Sequence, residues 1–413
     1  MKVLWFTNTP SLYKKNDKGY NGGGWIESLE HIVADEKDIE LGISFFHNDN
    51  CFKSKERNTT YYPIPLYNTK LNKICHTVFN SKYDEIELSY YLKVIRDFQP
   101  DVIHVFGSER SFGLLSTKTA IPVVIHLQGI LIPSLNSYFA PGSCKLEIYK
   151  HILFSPVKSS LALRSLSLFA KHSKREEKIL RQCTYFMGRT AWDKAVVSLY
   201  APSATYFYCS EVLRSDFYEA LPWKFQKRNK IFLSSTLSKT SYKGFDLILK
   251  TAKLLKDLTD VDFEWRIFGI NEYKEWEYKL GIKCKDVNVH LRGVVEAKKL
   301  VEELLNTDLF IHPSYIDNSP NSVCEAQLLG LPVISTNVGG ISSLIDHDKN
   351  GLLVPANDPW MLASNILMLH KKPQYAQQLG ENARITALER HNPENIKKDL
   401  VNVYQTLLGN RQK

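Results

Sequence analysis

The sequence predicts an α/β protein built from two doubly wound, Rossmann-like domains. Short strand-like runs rich in Val, Ile, Leu and Phe alternate with helical patterns along the chain, the signature of parallel sheets covered by helices on both faces. That pattern breaks at a stretch bearing Pro and charge near residues 221–230, then restarts. With 413 residues, 44% hydrophobic and 23% charged, the chain suffices for two cores of roughly 200 residues each.

In order, the first domain is expected over residues 1–228. It opens with a strand at 3–7, followed by a long loop, Gly22-Gly23-Gly24 and a helix from Trp25 to about residue 34. Further strands are expected at 39–45, 102–105, 123–127 and 184–187. The second domain, residues 229–390, starts with a strand at 231–234. A helix follows in which Phe245, Ile248, Leu249, Ala252 and Leu255 recur at helical spacing. Strands at 263–268, 287–291, 309–312 and 332–335 complete it, and no short internal repeat or low-complexity segment interrupts either half.

Composition narrows the function classes. No run reaches the roughly 18 apolar residues of a spanning helix, and no signal-peptide pattern precedes the first strand, so a cytoplasmic protein is expected. Seven scattered cysteines without a CxxC suggest neither a disulfide framework nor a zinc site. The net charge of +9 sits mainly in residues 1–228, which hold 30 Lys and Arg against 22 Asp and Glu. Within them, residues 158–181 form a basic patch. On a helix, Arg164, Lys171, Arg175 and Lys178 share a face opposite Ala162, Leu166, Phe169 and Leu180, an arrangement suited to an anionic membrane surface or to plain solvation. No nucleic-acid partner is expected.

The segment from His312 to Ser335 is richest in chemistry: a strand, a polar loop, a helix and another strand. Ser319 followed by Pro320 has the form of an N-cap with proline at the first helical position, leaving the amides of Asn321, Ser322 and Val323 to point out of the helix start. A helix start after the carboxyl end of a parallel strand is a natural seat for a pyrophosphate. Glu325, one turn further in, is placed to accept both hydroxyls of a ribose, and Asp317 to reach a sugar.

Here the chain resembles the retaining glycosyltransferases of family four, group 1, with the GT-B fold: two facing Rossmann-like domains around a central cleft. The resemblance rests on Asp317, Asn318-Ser-Pro-Asn-Ser322, Glu325-Ala326 and Gly330-x-Pro-Val, with Asp317 standing where most of the family has glutamate. It also rests on Tyr242-Lys243-Gly244-Phe245-Asp246, where Lys243 takes the place of the lysine that meets the donor phosphates; Ser238 stands where an arginine is usual, with Lys239 beside it. It implies donor contacts at Asn318, Ser319, Asn321, Ser322 and Glu325, and at Gly293 and Val294 around the base. Gly339-Gly340 would lie near the donor, and Gly23 and Gly24 would approach its phosphates from the first domain. His126, followed by Gln128-Gly129, matches a cleft histidine at the sugar, while His104 reads as structural. Gly188-Arg189-Thr190-x-Trp192-Asp193 and Glu211-x-x-Arg214 match a subset of the family and suggest charge-assisted bonds. Residues 391–413 would cross back as a helix onto the first domain.

The function so implied is retaining transfer of a sugar from an NDP-sugar to an acceptor hydroxyl, saccharide or lipid-linked saccharide, in bacterial surface polysaccharide synthesis. His126, Lys243 and Asp317 would form its reaction centre, with no metal and no cofactor beyond the donor. Peripheral attachment to the inner face of the plasma membrane is the alternative to a wholly cytoplasmic location. Two other readings stand beside it: a nucleotide-sugar 2-epimerase, and a non-catalytic nucleotide-sugar-binding partner of another transferase.

Overall fold

A computed structural model describes residues 1–13, 24–47, 53–65, 80–142 and 156–411. It divides into two compact units. The first comprises residues 1–135, 144–212 and 393–413; the second comprises 136–143 and 213–392.

The first unit is built on an eight-stranded sheet. Its strands are β1 (Lys2–Thr7), β2 (Glu40–His47), β3 (Ser54–Glu56), β4 (Thr59–Pro65), β5 (Val102–Phe106), β6 (Val123–His126), β7 (Tyr185–Gly188) and β8 (Thr205–Tyr208), in the order β3-β4-β2-β1-β5-β6-β7-β8. All neighbours pair in parallel except β3 with β4. Central strands such as Val-Ile-His-Val-Phe are buried at every position, because helices cover both faces and leave no polar side to alternate with.

The C-terminal helix, Pro393–Arg411, belongs to this unit and buries Ile396, Leu400, Val403, Tyr404 and Leu407 in the core around β1 and β2. A hydrogen-bonded chain pins it. Trp5 Nε1–H donates to the Tyr404 hydroxyl at 2.9 Å, which leaves the phenol's own proton for Nδ1 of His104 at 2.7 Å. Burial alone depresses the His104 imidazole to about 3, so it is neutral.

The second unit holds a six-stranded, all-parallel sheet: β9 (Ile231–Thr236), β10 (Phe263–Phe268), β11 (Val289–Gly293), β12 (Leu309–His312), β13 (Val333–Thr336) and β14 (Leu352–Val354), ordered β11-β10-β9-β12-β13-β14. The strand order reverses between β9 and β12. Ligands of open α/β sheets bind outside the carboxyl ends of the strands at such a switch point.

The expected boundary at 228/229 differs from this division: residues 213–228 go with the second unit. Phe217 and Trp223 pack there with Leu300, Leu304 and Leu329, and the amide of Trp223 donates to the carbonyl of Leu329. The proposed basic face also needs correction. In the helix Pro156–Gln182, Arg175 is buried, bonded to Asp84 at 2.7 Å and to the carbonyl of Glu109, so it turns inward. Arg164 and Lys171 are partly buried, and of the four only Lys178 is well exposed. No helix among the described residues is long and apolar enough to cross a membrane. Cys183, Cys209, Cys284 and Cys324 are buried.

Candidate active site

Three loops gather at the switch point of the second unit, and backbone bonds tie them together. Strand β9 leads into a turn, Ser241–Lys243, that ends at Gly244 with φ 75°. A Cβ there would lie 2.0 Å from the carbonyl oxygen of Pro313, so the turn after β9 approaches the loop after β12 only with glycine. The amide of Tyr315 donates to the carbonyl of Tyr242 at 2.7 Å. From the loop after β13, the amide of Gly340 donates to the carbonyl of Asp317 at 2.9 Å, and Gly339, at φ 53°, has no room for a Cβ against that same carbonyl.

This packing brings Lys243 and Asp317 together. Lys243 Nζ donates to Asp317 Oδ2 at 2.6 Å, and Ser314 Oγ donates to the same oxygen at 3.3 Å. Nε2 of His312 lies 3.2 Å from Oδ2 without the alignment of a full hydrogen bond. The other carboxylate oxygen, Oδ1, carries no bond among the described residues, and the Asp317 side chain keeps 15% of its surface exposed.

The electrostatics favour a charged pair. Burial pushes the Asp317 carboxyl up, but the Lys243 ammonium and His312 oppose it and hold the group well below the usual carboxylate range. Burial likewise works against the Lys243 ammonium, and the Asp317 charge more than offsets it, raising the amine above its ordinary value. His312 is lowered, by burial first and also by Lys243, against the pull of Asp317.

The helix after this loop starts one residue later than the sequence suggested. It spans Asn321–Leu329 with Pro320, not Ser319, in the capping position. Val323 N donates to the Pro320 carbonyl at 2.9 Å, so this amide is not free as expected. The amides of Asn321 and Ser322 find no partner among the described residues and remain the donors of the helix start. Asn318 and Ser319 are buried in the loop before it.

Glu325 has a partner that sequence reading did not assign. Arg214 donates to it through two parallel bonds, Nε to Oε1 at 2.7 Å and Nη2 to Oε2 at 2.8 Å, while its guanidinium lies over the ring of Phe217. A carboxylate offers about four lone-pair sites, so this pairing leaves room for two further donors. Glu211, in the first unit, instead faces Arg189 at 3.5 Å.

Gly293 ends β11 at φ 70°, followed by Val294, which is 54% exposed. Lys239 is exposed near the ring of Tyr273. From the end of β11 to the end of β12 there are three strand spacings, about 14 Å, a span on the scale of a nucleoside diphosphate.

The remaining expected residues lie in the first unit. Gly22 and Gly23 are outside the described residues, and Gly24 opens the helix Gly24–Val33 at φ 60°. Trp25 beside it contacts the His126 ring at 5.1 Å and lies under the Arg189 guanidinium at 4.0 Å. His126 is fully buried, and its Nε2–H donates to the carbonyl of Cys209 at 3.2 Å. Burial, together with Arg189 and His104, keeps it well below the ordinary histidine range. In this conformation it presents no surface to a sugar. Thr190 and Asp193 form a capping box for the helix Ala191–Tyr200, a structural role for that part of the motif.

His312 is a site residue the sequence reading left without a role, and Arg214 is one whose charge-assisted bond was expected without its partner. A histidine at a strand end, just before Pro313 and five residues from Asp317, was the available signal for the first. For the second, nothing local connects positions 111 residues apart.

Residues 218–386 match the family model described as glycosyl transferases group 1. A protein of Escherichia coli named as a colanic acid biosynthesis glycosyltransferase, WcaL, is 28% identical over 180 residues, 41% of this chain and 43% of WcaL. The chain thus matches less than half the length of that relative. TuaC of Bacillus subtilis, named for teichuronic acid biosynthesis, is 23% identical over 402 residues, 93% of this chain and 94% of TuaC. Sucrose-phosphate synthase from Thermosynechococcus elongatus superposes with a TM-score of 0.74 at 15% identity, covering 99% of each chain. Anabaena HepE in complex with UDP-glucose superposes with a TM-score of 0.63 at 14% identity over 98% of this chain and 100% of that one. At such identities the superpositions speak for the fold. Together, the matched segment, which contains Lys243, Asp317 and Glu325, and the two parallel sheets identify this chain as carrying a domain of the glycosyl transferases group 1 family on a GT-B fold.

Proposed function

We propose that this protein transfers a sugar from a nucleoside diphosphate donor to an acceptor hydroxyl, with retention and without a metal, in bacterial surface polysaccharide synthesis. The observation that carries the reading is the Lys243–Asp317 pair at the switch point, in the loop that leads to the unpartnered amides of Asn321 and Ser322. The amides and the helix dipole suit the diphosphate. Lys243 meets the charge that grows on the departing diphosphate as the glycosidic bond breaks, where a preorganised cation acts most strongly. Asp317, held through Oδ2, offers Oδ1 to the hydroxyls of the sugar. Glu325, oriented by Arg214, offers its remaining lone pairs to the ribose.

HepE was solved with UDP-glucose, which makes UDP-hexoses the first donors to try. The names of WcaL and TuaC support a polysaccharide setting. The test is a thermal-shift panel of UDP-, GDP- and dTDP-sugars, in which a ligand at 100 times its Kd adds about 2.7 kcal/mol. The stabilising donor is then incubated in excess EDTA with and without saccharide acceptors. Acceptor-dependent product with the anomeric configuration retained is expected. Conversion of the donor alone would mean an epimerase, and a panel without any stabilising donor would overturn the reading.

A further inference from the structure

Asp317 Oδ2 has two basic side chains beside it, and only Lys243 makes a full hydrogen bond to it. Lys243 takes it at 2.6 Å; His312, 2% exposed, stands 3.2 Å away with both ring nitrogens lacking a hydrogen-bond partner. A buried imidazole with two unsatisfied nitrogens is costly unless another state of the molecule employs it. The charged groups acting on it are Lys243, from the turn after β9, and Asp317, from its own loop. Burial first, and then the Lys243 ammonium locked on Asp317, keep the ring below its ordinary value, against the pull of Asp317.

A diphosphate at the helix start changes that balance. It draws the Lys243 ammonium, leaves Asp317 short of its counterion, and adds negative charge. All three favour a cation on the imidazole. We propose that donor binding is coupled to uptake of one proton by His312, which then holds Asp317 while Lys243 turns to the diphosphate. This rests on the donor site proposed above. In the step, the Lys243–Asp317 contact breaks, a proton from solvent adds to the ring nitrogen that carries none, and an imidazolium–carboxylate contact forms. His312 is thus a positioning residue: it keeps Asp317 aimed at the sugar after the lysine leaves.

The experiment is titration calorimetry at pH 7.0 of the full chain with the UDP-, GDP- or dTDP-hexose that stabilises it, in buffers of different ionisation enthalpy. A sugar-linked diphosphate does not itself titrate near neutrality, so the slope of observed enthalpy against buffer enthalpy counts protons taken up by the protein. About 0.5–1 proton per donor is expected for the wild type and close to none for His312→Gln. A wild-type slope of zero, or an unchanged slope in His312→Gln, overturns the proposal. Should that variant fail to fold, the pH dependence of the wild-type donor Kd decides. Affinity weakening by up to about tenfold per unit between pH 6 and 8 supports it, and constant affinity overturns it. Absence of binding by any donor is a separate result, which defeats the donor site itself.

Discussion

The two units hold their ionisable groups in opposite ways. In the second unit they are charged and paired: Lys243 with Asp317 and Arg214 with Glu325, each pair retaining some access to solvent. In the first, β5 and β6 carry His104 and His126, fully buried, neutral and stacked 5.4 Å apart among Trp5, Trp25 and Phe106. Charged pairs with spare lone pairs can exchange partners when an anion arrives. Neutral rings packed among aromatics hold a sheet in one arrangement. On the proposed reading the chemistry of the donor belongs to the second unit, while the histidines of the first, buried in this conformation, serve as scaffold.

Removing a charge from the second unit should break that contrast most visibly. Lys243→Ala is expected to lower the single-turnover rate by about 10²–10³, the usual cost of losing one preorganised electrostatic donor. A rate within a few-fold of wild type would remove Lys243 from the reaction. Arg214→Met should destabilise the unit by about 3 kcal/mol, since it strands a buried carboxylate, and urea unfolding would register this. In the same variant, nucleotide affinity should fall as Glu325 loses its orientation. Glu325→Gln should weaken donor and free nucleoside diphosphate alike, by about tenfold or more in calorimetry, because the ribose is common to both.

The first unit sharpens the comparison through pH. His104 sits near 3 in the fold and near 6.5 when unfolded, so the unfolded chain binds the extra proton on acidification. Its contribution is present above pH 6.5 and is lost as pH falls toward its folded value. Glu176, pushed up to about 7 by burial, contributes with the opposite sign, being protonated in the fold and losing its advantage as pH rises toward that value. The useful quantity is therefore the difference between wild type and His104→Asn. That difference should shrink by about 2 kcal/mol between pH 6.5 and pH 5, and a constant difference would mean His104 is not held neutral.

The smallest expected effect is Tyr404→Phe, which leaves the Trp5 indole and His104 Nδ1 without their shared hydroxyl. A cost of about 1–2 kcal/mol is expected from unfolding curves, with donor affinity in the second unit unchanged.

Much of the architecture was legible because buried parallel strands read as plain apolar runs. Strands at 263–268 and 309–312 and the helix Phe245–Leu258 stand where the pattern put them. Strands β4 and β8 escaped it. Pro63 and Pro65 mask the first, and the second is a half-exposed edge strand, Thr-Tyr-Phe-Tyr, without an apolar run. At the site, Lys243 and Asp317 could be read from local motifs because the fold brings two strand ends together at the switch point. The pairings of Arg214 and Arg175 could not. Each is fixed by a partner far away in sequence, Glu325 and Asp84, and helical spacing alone would leave Arg175 on an open basic face. The cap at Pro320 instead of Ser319 is a one-residue shift, yet it decides which amides remain free.

A crystal structure of the protein with the nucleotide-sugar that stabilises it decides whether Lys243 changes partner. The diphosphate is expected at the amides of Asn321 and Ser322, with Lys243 Nζ within hydrogen-bond distance of a phosphate oxygen and moved off Asp317, and the ribose on Glu325. A nucleotide bound elsewhere, or a Lys243–Asp317 contact still at 2.6 Å with the donor in place, would contradict it.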